Sequence, residues 1–355
     1  MASLGSNGWS QGWCVDFSIG LQRKAGLVEP GGGFGELMHE VLSSSYITYT
    51  TQGNLNNHIG IPLTILKIKP DAQMAIIEMG ANHLKEIERY CRYAMPTHGI
   101  ITNCGKAHLE GFGSEAAIRK GKGELYDHLR ANEGVAFVMW DYDYLREMSE
   151  DIATIKTYGT HDADINGQVQ NSSGFLEVAI TSGAEIGNIK TKLVGEYNLP
   201  NVLAAVAVGK YFNVPDEKIR SALENYTPSN SRSQLIKKGT NSIILDAYNA
   251  NPTSMKAAIE NFAKMNGDHK ILLLGGMMEL GESSVDEHQS ILSVINDHSW
   301  EAVVLVGGDY HQLEHSYINF ENASQAQSWF REQNFENKQF LIKGSRSMAM
   351  EKILE

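Results

Sequence analysis

Short apolar runs that stop at polar residues recur along the chain and predict a series of buried strands. Residues 76–78 are two isoleucines followed by a glutamate, and residues 100–103 are two isoleucines followed by a threonine and an asparagine. Helix-like runs follow them at 83–95 and 114–129. Strands that alternate with helices are typical of a parallel sheet with helical crossovers. The chain therefore predicts an α/β fold, in which chemistry collects at the carboxyl ends of the strands.

The hydrophobic pattern changes along the chain and so divides it into domains. Between residues 163 and 194, short alternating runs are broken by Ser, Asn and Gly, which predicts antiparallel hairpins at the edge of the first sheet. Turn-forming residues at 227–231 mark a boundary, beyond which strands and helices alternate again. We therefore expect a segment 1–35 without a sustained period, a first α/β domain at 36–228 and a second at 229–355.

Composition narrows the class of protein. A length of 355 residues is enough for about two domains, and 42% apolar residues fit a soluble globular chain. A formal charge of −12 does not favour binding to the negatively charged backbone of nucleic acid, so we expect no nucleic-acid partner. The sequence has no membrane-spanning run and no signal-peptide pattern, so we expect no membrane insertion. Cys14, Cys91 and Cys104 lack metal-ligand spacing and suit a reducing compartment, most simply the cytoplasm.

Candidate chemistry lies at the ends of the first two predicted strands. Glu78 and His108 could meet at one rim of the sheet, and the helix that follows carries Lys122. A carboxylate, an imidazole and a lysine at neighbouring strand ends suit a site that handles a metal and phosphates. The alternatives are two buried strands that happen to end in polar residues, a core histidine at 108 and a solvated helix cation at 122.

The stretch 51–62 is dense in amides and is a candidate for binding a polar ligand. It contains a glutamine, three asparagines and His58 in close succession. Such residues also build turns, which is the simpler interpretation. Pro62 can open the helix that the apolar residues 63–66 predict.

Two glycine-rich segments near the N-terminus are candidates for holding an anion. Gly5-Ser6-Asn7-Gly8 resembles the front half of a phosphate-binding loop, but Trp9 and Ser10 stand where Lys and Ser or Thr should follow. Residues 31–35 include four glycines and precede a short helix predicted at 36–42. Their N–H groups could hold an anion at the helix N-terminus, but we favour a flexible linker because the run has no lysine.

Seven motifs occur in an order and at a spacing that are specific when taken together. They are Thr51–Gly60, Glu78–Asn82, Thr102–Ser114, Lys122–Glu124, Asp246–Pro252, Gly275–Gly281 and Lys343–Arg346. In these motifs the chain resembles the Mur ligases of bacterial cell-wall synthesis, and most closely the members that join D-alanyl-D-alanine to UDP-N-acetylmuramoyl-tripeptide. The resemblance runs from about Glu36 to the end of the chain. It implies a central parallel-sheet ATPase-like domain with antiparallel edge hairpins, followed by a Rossmann-like C-terminal α/β domain.

The resemblance implies an ATP-dependent amide ligase of peptidoglycan precursor synthesis. ATP would phosphorylate the terminal carboxylate of the UDP-muramoyl-tripeptide, and the amine of D-alanyl-D-alanine would then displace phosphate. Two Mg²⁺ ions are implied, with Glu78 a ligand of one and His108 a ligand of the other. Lys122 would take up CO₂ and support the metal as a carbamate. We expect a cytoplasmic monomer whose partners are these small-molecule substrates.

The resemblance also assigns binding residues by motif. Those implied to lie near ATP are Gly5, Ser6, Asn7, Gly8, Asn198, Asn201, Arg232, Asp246, Tyr248, Asn249 and Asn251. Those implied to face the muramoyl substrate are Asn54, Asn56, Asn57 and His58, and those implied to lie toward the incoming amine substrate or the tripeptide are Lys343, Ser345 and Arg346. The simpler alternative for Asn198 or Asn201 is a helix N-cap. Because the ATP residues come from both domains, we expect the domains to close on the nucleotide.

Two departures from the family pattern bear on activity. Only 35 residues precede the matching region, so we expect the usual uridine-diphosphate-binding domain to be absent. The family's phosphate loop reads Gly-x-Asn-Gly-Lys-Thr-Thr and leads directly into the helix at Glu36, whereas here residues 9–35 replace its Lys-Thr-Thr. The lysine that reaches the β- and γ-phosphates and the hydroxyl that holds magnesium are both missing. We therefore predict little or no ligase turnover.

Two alternatives to an active ligase of this type stay open. One is a catalytically impaired remnant that keeps the fold and binds a nucleotide weakly. The other is a related Mur-type or folylpolyglutamate-type ligase with a different amine acceptor, since the sequence alone does not identify the acceptor.

Overall fold

The computed structural model describes residues 23–28, 34–106, 108–228 and 231–355, and for 23–28 it describes the backbone alone. The segment Gly5–Gly8, which the resemblance places near ATP, lies outside the described residues. Within the described ranges the strands form one sheet of nine and one of six. No helix in these ranges is long and apolar enough to cross a lipid bilayer.

Strands and helices alternate along most of the chain. The first sheet contains β1 Arg23–Val28, β2 Thr48–Thr50, β3 Met74–Met79, β4 His98–Ile101, β5 Val135–Met139, β6 Thr154–Gly159, β7 Ile165–Asn171, β8 Phe175–Ser182 and β9 Asn188–Val194. The second contains β10 Gln234–Lys238, β11 Asn241–Asp246, β12 Lys270–Gly275, β13 Ala302–Val306, β14 Ile318–Phe320 and β15 Gln339–Lys343. The α-helices are α1 Phe34–Ser43, α2 Gly60–Leu66, α3 Glu86–Ala94, α4 Leu109–Phe112, α5 Glu115–Ala131, α6 Asp143–Met148, α7 Leu199–Tyr211, α8 Asp216–Asn225, α9 Pro252–Lys264, α10 Ser284–Asn296 and α11 Ala323–Glu332. Short 3-10 helices lie at Glu196–Asn198, Gly281–Ser283, Gly308–Gln312, Arg346–Met348 and Met350–Leu354.

The first sheet is parallel over most of its width, with the strand order β2-β3-β1-β4-β5-β6-β7-β8-β9. Strand β1 pairs in parallel with β3 on one side and with β4 on the other. Such a reversal of strand order leaves a crevice at the carboxyl end of the central strand, where open α/β sheets bind ligands. Glu78 lies at this level, because it pairs with Leu27 of β1, and Leu27 also pairs with Ile100 of β4.

The far edge of the first sheet changes direction, and the prediction of antiparallel hairpins is confirmed. Strand β7 is parallel to β6, but β8 runs antiparallel to β7 and β9 antiparallel to β8. Along β8 the buried residues alternate, with Leu176, Val178 and Ile180 inside. A sheet edge with one buried face explains why this part of the sequence alternates, whereas β5, in the parallel part of the sheet, is continuously apolar.

Helix α7 lies in the interior of the first domain and is buried without interruption from residue 202 to 209. It packs between helix α1 and strands β5 to β7. Asn198, immediately before it, makes no side-chain capping bond. Its Nδ2 instead donates to the main-chain oxygen of Val194 at 2.9 Å, and its Oδ1 accepts from Nδ2 of Asn201 at 3.0 Å. Asn198 therefore stands at the N-cap position of α7, but its amide is used inside the fold and not as a cap.

The second sheet has the order β10-β11-β15-β12-β13-β14, and β10 runs antiparallel to its neighbour β11. One apolar cluster includes Met255 and Phe262 of α9 with Ile291 of α10. A second cluster includes Phe330 of α11 and Phe340 of β15. This sheet is therefore covered by helices on both faces, as a mostly parallel sheet requires.

The predicted α/β class is confirmed, but strand β1 was not predicted from the sequence. Its residues read Arg-Lys-Ala-Gly-Leu-Val, which is neither a continuous apolar run nor an alternating one. A central strand of a parallel sheet normally reads as an unbroken apolar run, so the local pattern gave no signal for it. Its parallel pairing with β3 and β4 depends on partners at least about fifty residues away along the chain.

Candidate active site

The carboxylate of Glu78 is held in place at the end of β3 by the preceding loop. Its Oε1 accepts a hydrogen bond from Nδ2 of Asn56 at 2.8 Å. Its own main-chain N–H donates to Oγ1 of Thr51 at 2.9 Å. Both the side chain and the backbone of Glu78 are therefore tied to the amide-rich loop 51–60.

The same loop is built on close backbone contacts. The N–H of Gly80 donates to the main-chain oxygen of Asn56 at 2.8 Å. A Cβ at Gly80 would lie 3.0 Å from the Asn56 side chain, so a glycine lets the two segments approach. Oδ1 of Asn57 accepts from the N–H groups of Ile59 and Gly60 at 3.0 and 2.9 Å, at the start of α2. These bonds give Asn56 and Asn57 structural roles. Asn54, Asn57 and His58 are exposed, and Asn56 is half-buried.

The loops that follow β3 and β4 meet above the crevice. A Cβ at Gly111 in α4 would lie only 2.2 Å from the main-chain oxygen of Asn82, so these two segments are in direct contact. His108 caps α4 in the left-handed backbone conformation, with φ of 57°. The structure thus brings the loop that carries His108 against the segment that follows Glu78.

Lys122 points from helix α5 toward the same loop. The helix begins at Ser114, whose Oγ accepts from the N–H of Ala117 at 3.2 Å. Lys122 is 2% exposed, and its Nζ donates to the main-chain oxygen of Asn103 at 2.9 Å. The alternative of a solvated helix cation is therefore wrong for Lys122, because this amine lies inside the protein next to the loop after β4.

The loop after β4 also touches the second domain. Nζ of Lys106 lies 2.7 Å from Oε1 of Glu287 on α10, and this bond raises the pKa of Lys106. The N–H of Lys106 lies 3.4 Å from Oγ1 of Thr253 in α9. Nδ1 of His108 contacts the carboxylate of Glu279, in the loop after β12. Lys106 and His108 thus reach α9, α10 and the loop after β12.

Arg232 and Tyr248 stack where the two domains join. The guanidinium carbon of Arg232 lies 3.8 Å from the centre of the Tyr248 ring, within range of a cation–π interaction. Arg232 is buried, and among the described residues its Nε has no hydrogen-bond partner. Nearby, Tyr226 donates a hydrogen bond to the carboxylate of Glu36 in the first turn of α1. The pKa of Tyr226 is raised, mainly by burial and also by this hydrogen bond. The predicted nucleotide residues Arg232 and Tyr248 are therefore brought together.

At the carboxyl end of the second sheet, two of the predicted binding residues form a buried ion pair. Asp246 and Lys343 are cross-strand partners on β11 and β15, and Oδ2 of Asp246 lies 2.6 Å from Nζ of Lys343. Oδ1 of Asp246 accepts from the N–H of Ser233 at 3.1 Å. The described bonds of both side chains are therefore internal to the second domain.

The remaining residues predicted in the second domain divide into buried and exposed positions. Ser345 is buried, accepts from the N–H of Met278 at 3.0 Å and donates to the oxygen of Ala250 at 3.2 Å. Asn251 caps α9 by accepting from the N–H of Ser254 at 2.9 Å. Asn249 and Arg346 are exposed. The structure thus uses Ser345 and Asn251 to hold loops, and leaves Asn249 and Arg346 at the surface.

The donors at the first sheet include the oxygen type that magnesium prefers. Glu78 offers a carboxylate, whereas the imidazole of His108 is a ligand more typical of transition metals. Mg²⁺ commonly takes one or two protein carboxylates and completes its shell with water and phosphate oxygens. Within the described ranges, no group of three or more His, Cys, Asp or Glu side chains could hold a metal by itself. A carbamate on Lys122 would add a second oxygen ligand from the protein. The donor set therefore suits a magnesium ion that shares its shell with a phosphate-bearing substrate.

Three residues of this site were not singled out individually from the sequence. Lys106, Glu279 and Glu287 form the contacts between the domains. Lys106 and Glu279 lie within motifs on which the resemblance rests, but the resemblance assigned neither residue a role. Their importance depends on how the two sheets face each other, for which the local sequence has no signal.

Comparisons with known proteins agree for both domains. Residues 35–209 match the Mur ligase middle domain, and residues 231–346 match the Mur ligase, glutamate ligase domain. The UDP-N-acetylmuramoyl-tripeptide–D-alanyl-D-alanine ligase of Bacillus subtilis (strain 168) is 31% identical over 334 residues, covering 90% of this chain and 72% of that protein. The ligase of the same name from Escherichia coli (strain K12) is 31% identical over 332 residues, covering 90% of this chain and 73% of that one.

Solved structures agree with the sequence comparisons. MurF from Acinetobacter baumannii has a TM-score of 0.85 at 28% identity, with 96% of this chain and 77% of that chain covered. MurF from Thermotoga maritima, solved in complex with ADP, shares the fold with a TM-score of 0.85 at 22% identity, covering 96% of this chain and 80% of that one. On the matches of both domains and the identity to these relatives, the chain belongs to the Mur ligase family.

Proposed function

We propose that the site is that of an ATP-dependent amide ligase of peptidoglycan precursor synthesis, which joins D-alanyl-D-alanine to UDP-N-acetylmuramoyl-tripeptide. Relatives of that name at 31% identity support the substrates. The observation that supports the chemistry most is the buried Lys122 amine beside the loop of His108, next to the strand end that carries Glu78. A cytoplasmic location and a monomeric state remain predictions.

In the proposed reaction a terminal carboxylate oxygen of the tripeptide attacks the γ-phosphorus of ATP, and ADP leaves. The product is an acyl phosphate, which has a good leaving group where the carboxylate had none. The amine nitrogen of D-alanyl-D-alanine then attacks the acyl carbon and loses a proton. Inorganic phosphate leaves with the electron pair of the broken C–O bond. Two anions must meet in the first step, so positive charge has to lie between them.

The first domain would supply the groups around the transferred phosphoryl. Glu78 and His108 would hold magnesium, with Asn56 fixing the carboxylate of Glu78 and Thr51 accepting from its main-chain N–H. When bound, magnesium neutralises charge on the γ-phosphoryl group. CO₂ would add to the neutral amine of Lys122, which loses a proton and becomes a carbamate anion that supports the metal site.

The nucleotide and the two other substrates would lie between the domains. Arg232, stacked on Tyr248, offers a buried guanidinium for the nucleotide phosphates. Asn54 and His58 on the exposed part of loop 51–60 would face the muramoyl substrate, and exposed Arg346 would lie toward the tripeptide or the incoming amine. For Lys343 and Ser345 we propose an indirect role, since their described bonds hold the loops around this space.

We place the domain boundary at residues 228 and 229. This is supported by the end of α8 at Asn225 and by the start of the second sheet at Gln234. The two family matches leave the same region between them, since one ends at residue 209 and the other begins at 231.

The segment between β1 and α1 lacks the lysine and the hydroxyl residues of the family's phosphate loop. Strand β1 ends at Val28 and helix α1 begins at Phe34. The residues between them, 29–33, lie outside the described ranges, and their sequence is Glu-Pro-Gly-Gly-Gly, with no lysine and no hydroxyl residue. This sequence favours the second candidate function, a ligase remnant that binds a nucleotide weakly. Loss of preorganised charge at the phosphoryl group costs about 3–4 kcal/mol, or at least about a 100-fold drop in turnover.

A phosphate-release assay with ATP, UDP-muramoyl-tripeptide and D-alanyl-D-alanine tests the proposal. The chain is compared with a variant in which residues 27–33 read Gly-Ser-Asn-Gly-Lys-Thr-Thr, and with the same variant carrying Glu78→Ala. We expect turnover in the restored variant, loss of it with Glu78→Ala, and at least about 100-fold less in the natural chain. A panel of other amino acids and dipeptides in place of D-alanyl-D-alanine tests the acceptor.

Each outcome of this assay is decisive. Turnover of the natural chain equal to that of the restored variant would show that the missing lysine does not matter. A restored variant that is folded but inactive with every acceptor would contradict the ligase function. Calorimetric titration of the natural chain with magnesium and ATP then separates a weak nucleotide binder, which releases heat, from a protein that has lost nucleotide binding.

A further inference from the structure

The glycine-rich motif Gly275–Gly281 after β12 reaches across to the first domain. Within it, Glu279 adopts the left-handed backbone conformation, with φ of 63°. Its main-chain oxygen accepts from the N–H of Glu110 at 3.1 Å, and its carboxylate contacts Nδ1 of His108. His108 is also left-handed, with φ of 57°. Two non-glycine residues in an uncommon conformation thus meet side chain to side chain across the domain interface.

The contact determines which nitrogen of His108 carries the proton. An ionised carboxylate can only accept hydrogen bonds, so Nδ1 of His108 must be the donor. In the neutral imidazole the lone pair then lies on Nε2. A carboxylate that accepts the N–H of a metal-binding histidine fixes the ring and makes its other nitrogen a better ligand.

The loop that carries Glu279 is held rigidly on the second domain. Nε2 of the buried His288 accepts from the N–H of Met277 at 3.0 Å, and Nδ1 of His288 lies 2.7 Å from the main-chain oxygen of Ser284. Oγ of Ser345 accepts from the N–H of Met278 at 3.0 Å. Consecutive residues before Glu279 are therefore anchored by side chains from α10 and from the end of β15.

The first-domain side of the contact is also fixed. Lys106, two residues before His108, forms an ion pair with Glu287 of α10, the neighbour of His288 in sequence. The second domain thus holds the His108 loop at one point through α10 and at another through Glu279. Each contact joins one domain to the other, so each would be lost if the domains moved apart.

We propose that Glu279 is a positioning residue, supplied by the second domain, which fixes the proton of His108 on Nδ1 and presents Nε2 as the metal-binding nitrogen when the domains close. The inference rests on the proposed role of His108 as a metal ligand. It gives the glycine-rich motif a function and couples closure to assembly of the metal site. With the domains apart, the protein would have the same metal ligands, but Glu279 would no longer orient His108.

Titration with Mn²⁺, a paramagnetic stand-in for Mg²⁺, tests this on the full chain. Electron paramagnetic resonance measures the affinity, and electron spin echo modulation reports imidazole nitrogen bound to Mn²⁺. We expect Glu279→Ala to weaken Mn²⁺ binding about 10-fold or more and to remove the nitrogen signal. Glu279→Gln should lose less, because its amide oxygen can still accept from Nδ1.

Matched controls separate this effect from a loss of folding. Glu279 is 53% exposed, so its replacement leaves the apolar core intact, and urea denaturation verifies each variant. Glu282→Gln changes an exposed carboxylate of the neighbouring 3-10 helix and should bind Mn²⁺ as the natural chain does. If Glu279→Ala keeps both the affinity and the nitrogen signal, Glu279 does not position His108, although the metal site stands. If the natural chain shows no nitrogen signal, the metal role of His108 itself fails.

A second measurement tests the coupling to closure. By thermodynamic linkage, a contact that strengthens metal binding only in the closed state must make the metal favour closure. Small-angle X-ray scattering should therefore show that Mn²⁺ reduces the radius of gyration of the natural chain, and reduces it less in Glu279→Ala. Equal responses of the two proteins would overturn the coupling.

Discussion

Two lysines, one at the carboxyl end of each sheet, are equally buried but have different neighbours. Lys122 and Lys343 are each 2% exposed. Nζ of Lys343 lies 2.6 Å from the carboxylate of Asp246, its cross-strand partner. Nζ of Lys122 donates to the main-chain oxygen of Asn103 at 2.9 Å. The carboxylate compensates an ammonium charge, whereas a neutral carbonyl accepts a hydrogen bond from either the ammonium or the amine.

The difference shows that a buried lysine beside the end of a sheet is not functional by position alone. Asp246 and Lys343 compensate each other and hold the end of the second sheet together. The described contact of Lys122 is compatible with conversion of its amine into a carbamate, which the proposed function requires. Residue type and burial are the same for the two lysines, but their described contacts differ, with a carboxylate at Lys343 and a main-chain carbonyl at Lys122.

Replacement of Lys343 by methionine should give the largest effect and tests this comparison directly. Asp246 would keep a buried negative charge without its cation, which costs about 3–5 kcal/mol of unfolding free energy. Lys122→Met loses the described hydrogen bond to the Asn103 carbonyl, whose net value is about 1 kcal/mol. Urea denaturation of both variants measures the two losses.

The double variant Asp246→Leu, Lys343→Met sharpens the result. An apolar pair of similar volume can replace a buried ion pair with little net loss, so most of the stability of the natural chain should return. If Lys343→Met instead costs only about 1 kcal/mol, the net value of one hydrogen bond, the ion pair is not what holds the second sheet end. The contrast between the two lysines would then have no energetic basis.

At the end of the first sheet, Asn56→Ala should weaken metal binding more than it weakens the fold. The substitution removes the 2.8 Å bond that fixes the carboxylate of Glu78. We expect Mn²⁺ affinity to fall about 10-fold, which is the lower end for loss of a group that orients a ligand, and stability to fall by about 1 kcal/mol. Gln52→Ala, which removes an exposed amide from the same loop, is the matched control. Equal Mn²⁺ affinity in the two variants would make Asn56 a loop residue only.

The strand ends could be predicted from the sequence, but the pairing of their side chains could not. Glu78 and Asp246 each follow an apolar run, which is a local signal. The partnership of Asp246 with Lys343 depends on the register between β11 and β15, which lie 97 residues apart in the chain. The motif predicted that Lys343 and Ser345 lie toward substrate. In the structure Lys343 bonds to Asp246 on the paired strand, and Ser345 bonds to Met278 in the loop after β12.

The contacts between the domains show the same limit. Glu279 and His108 are separated by 171 positions in the chain and meet only because the two sheet ends face each other. Periodicity finds strands and helices, because their spacing is local. It does not show which loops meet, so the sequence predicted that the domains close but not the side chains that join them.

The smallest expected effect is a pH dependence of stability that comes from His288, the residue that holds the loop after β12. Burial lowers the pKa of His288 below its ordinary 6.5, against smaller opposing effects of the Ser284 oxygen and the nearby Asp309 and Glu287. The unfolded chain therefore binds a proton near pH 6.5 that the folded chain binds only at lower pH. The stabilising contribution of neutral His288 is complete above pH 6.5 and is lost as the pH falls through the lower folded pKa.

His288→Gln should flatten this dependence. A glutamine can still accept from the N–H of Met277 but does not titrate. The difference in unfolding free energy between about pH 7.5 and about pH 5.5 should be smaller in the variant by roughly 1 kcal/mol, since one proton is worth at most about 1.4 kcal/mol per pH unit. Burial also lowers the pKa of His39 and His128 in the first domain, so the natural chain should keep part of its pH dependence in the variant. Identical slopes for the two proteins would mean that His288 does not carry this dependence, and that the loop of Glu279 depends on its other anchor, Ser345.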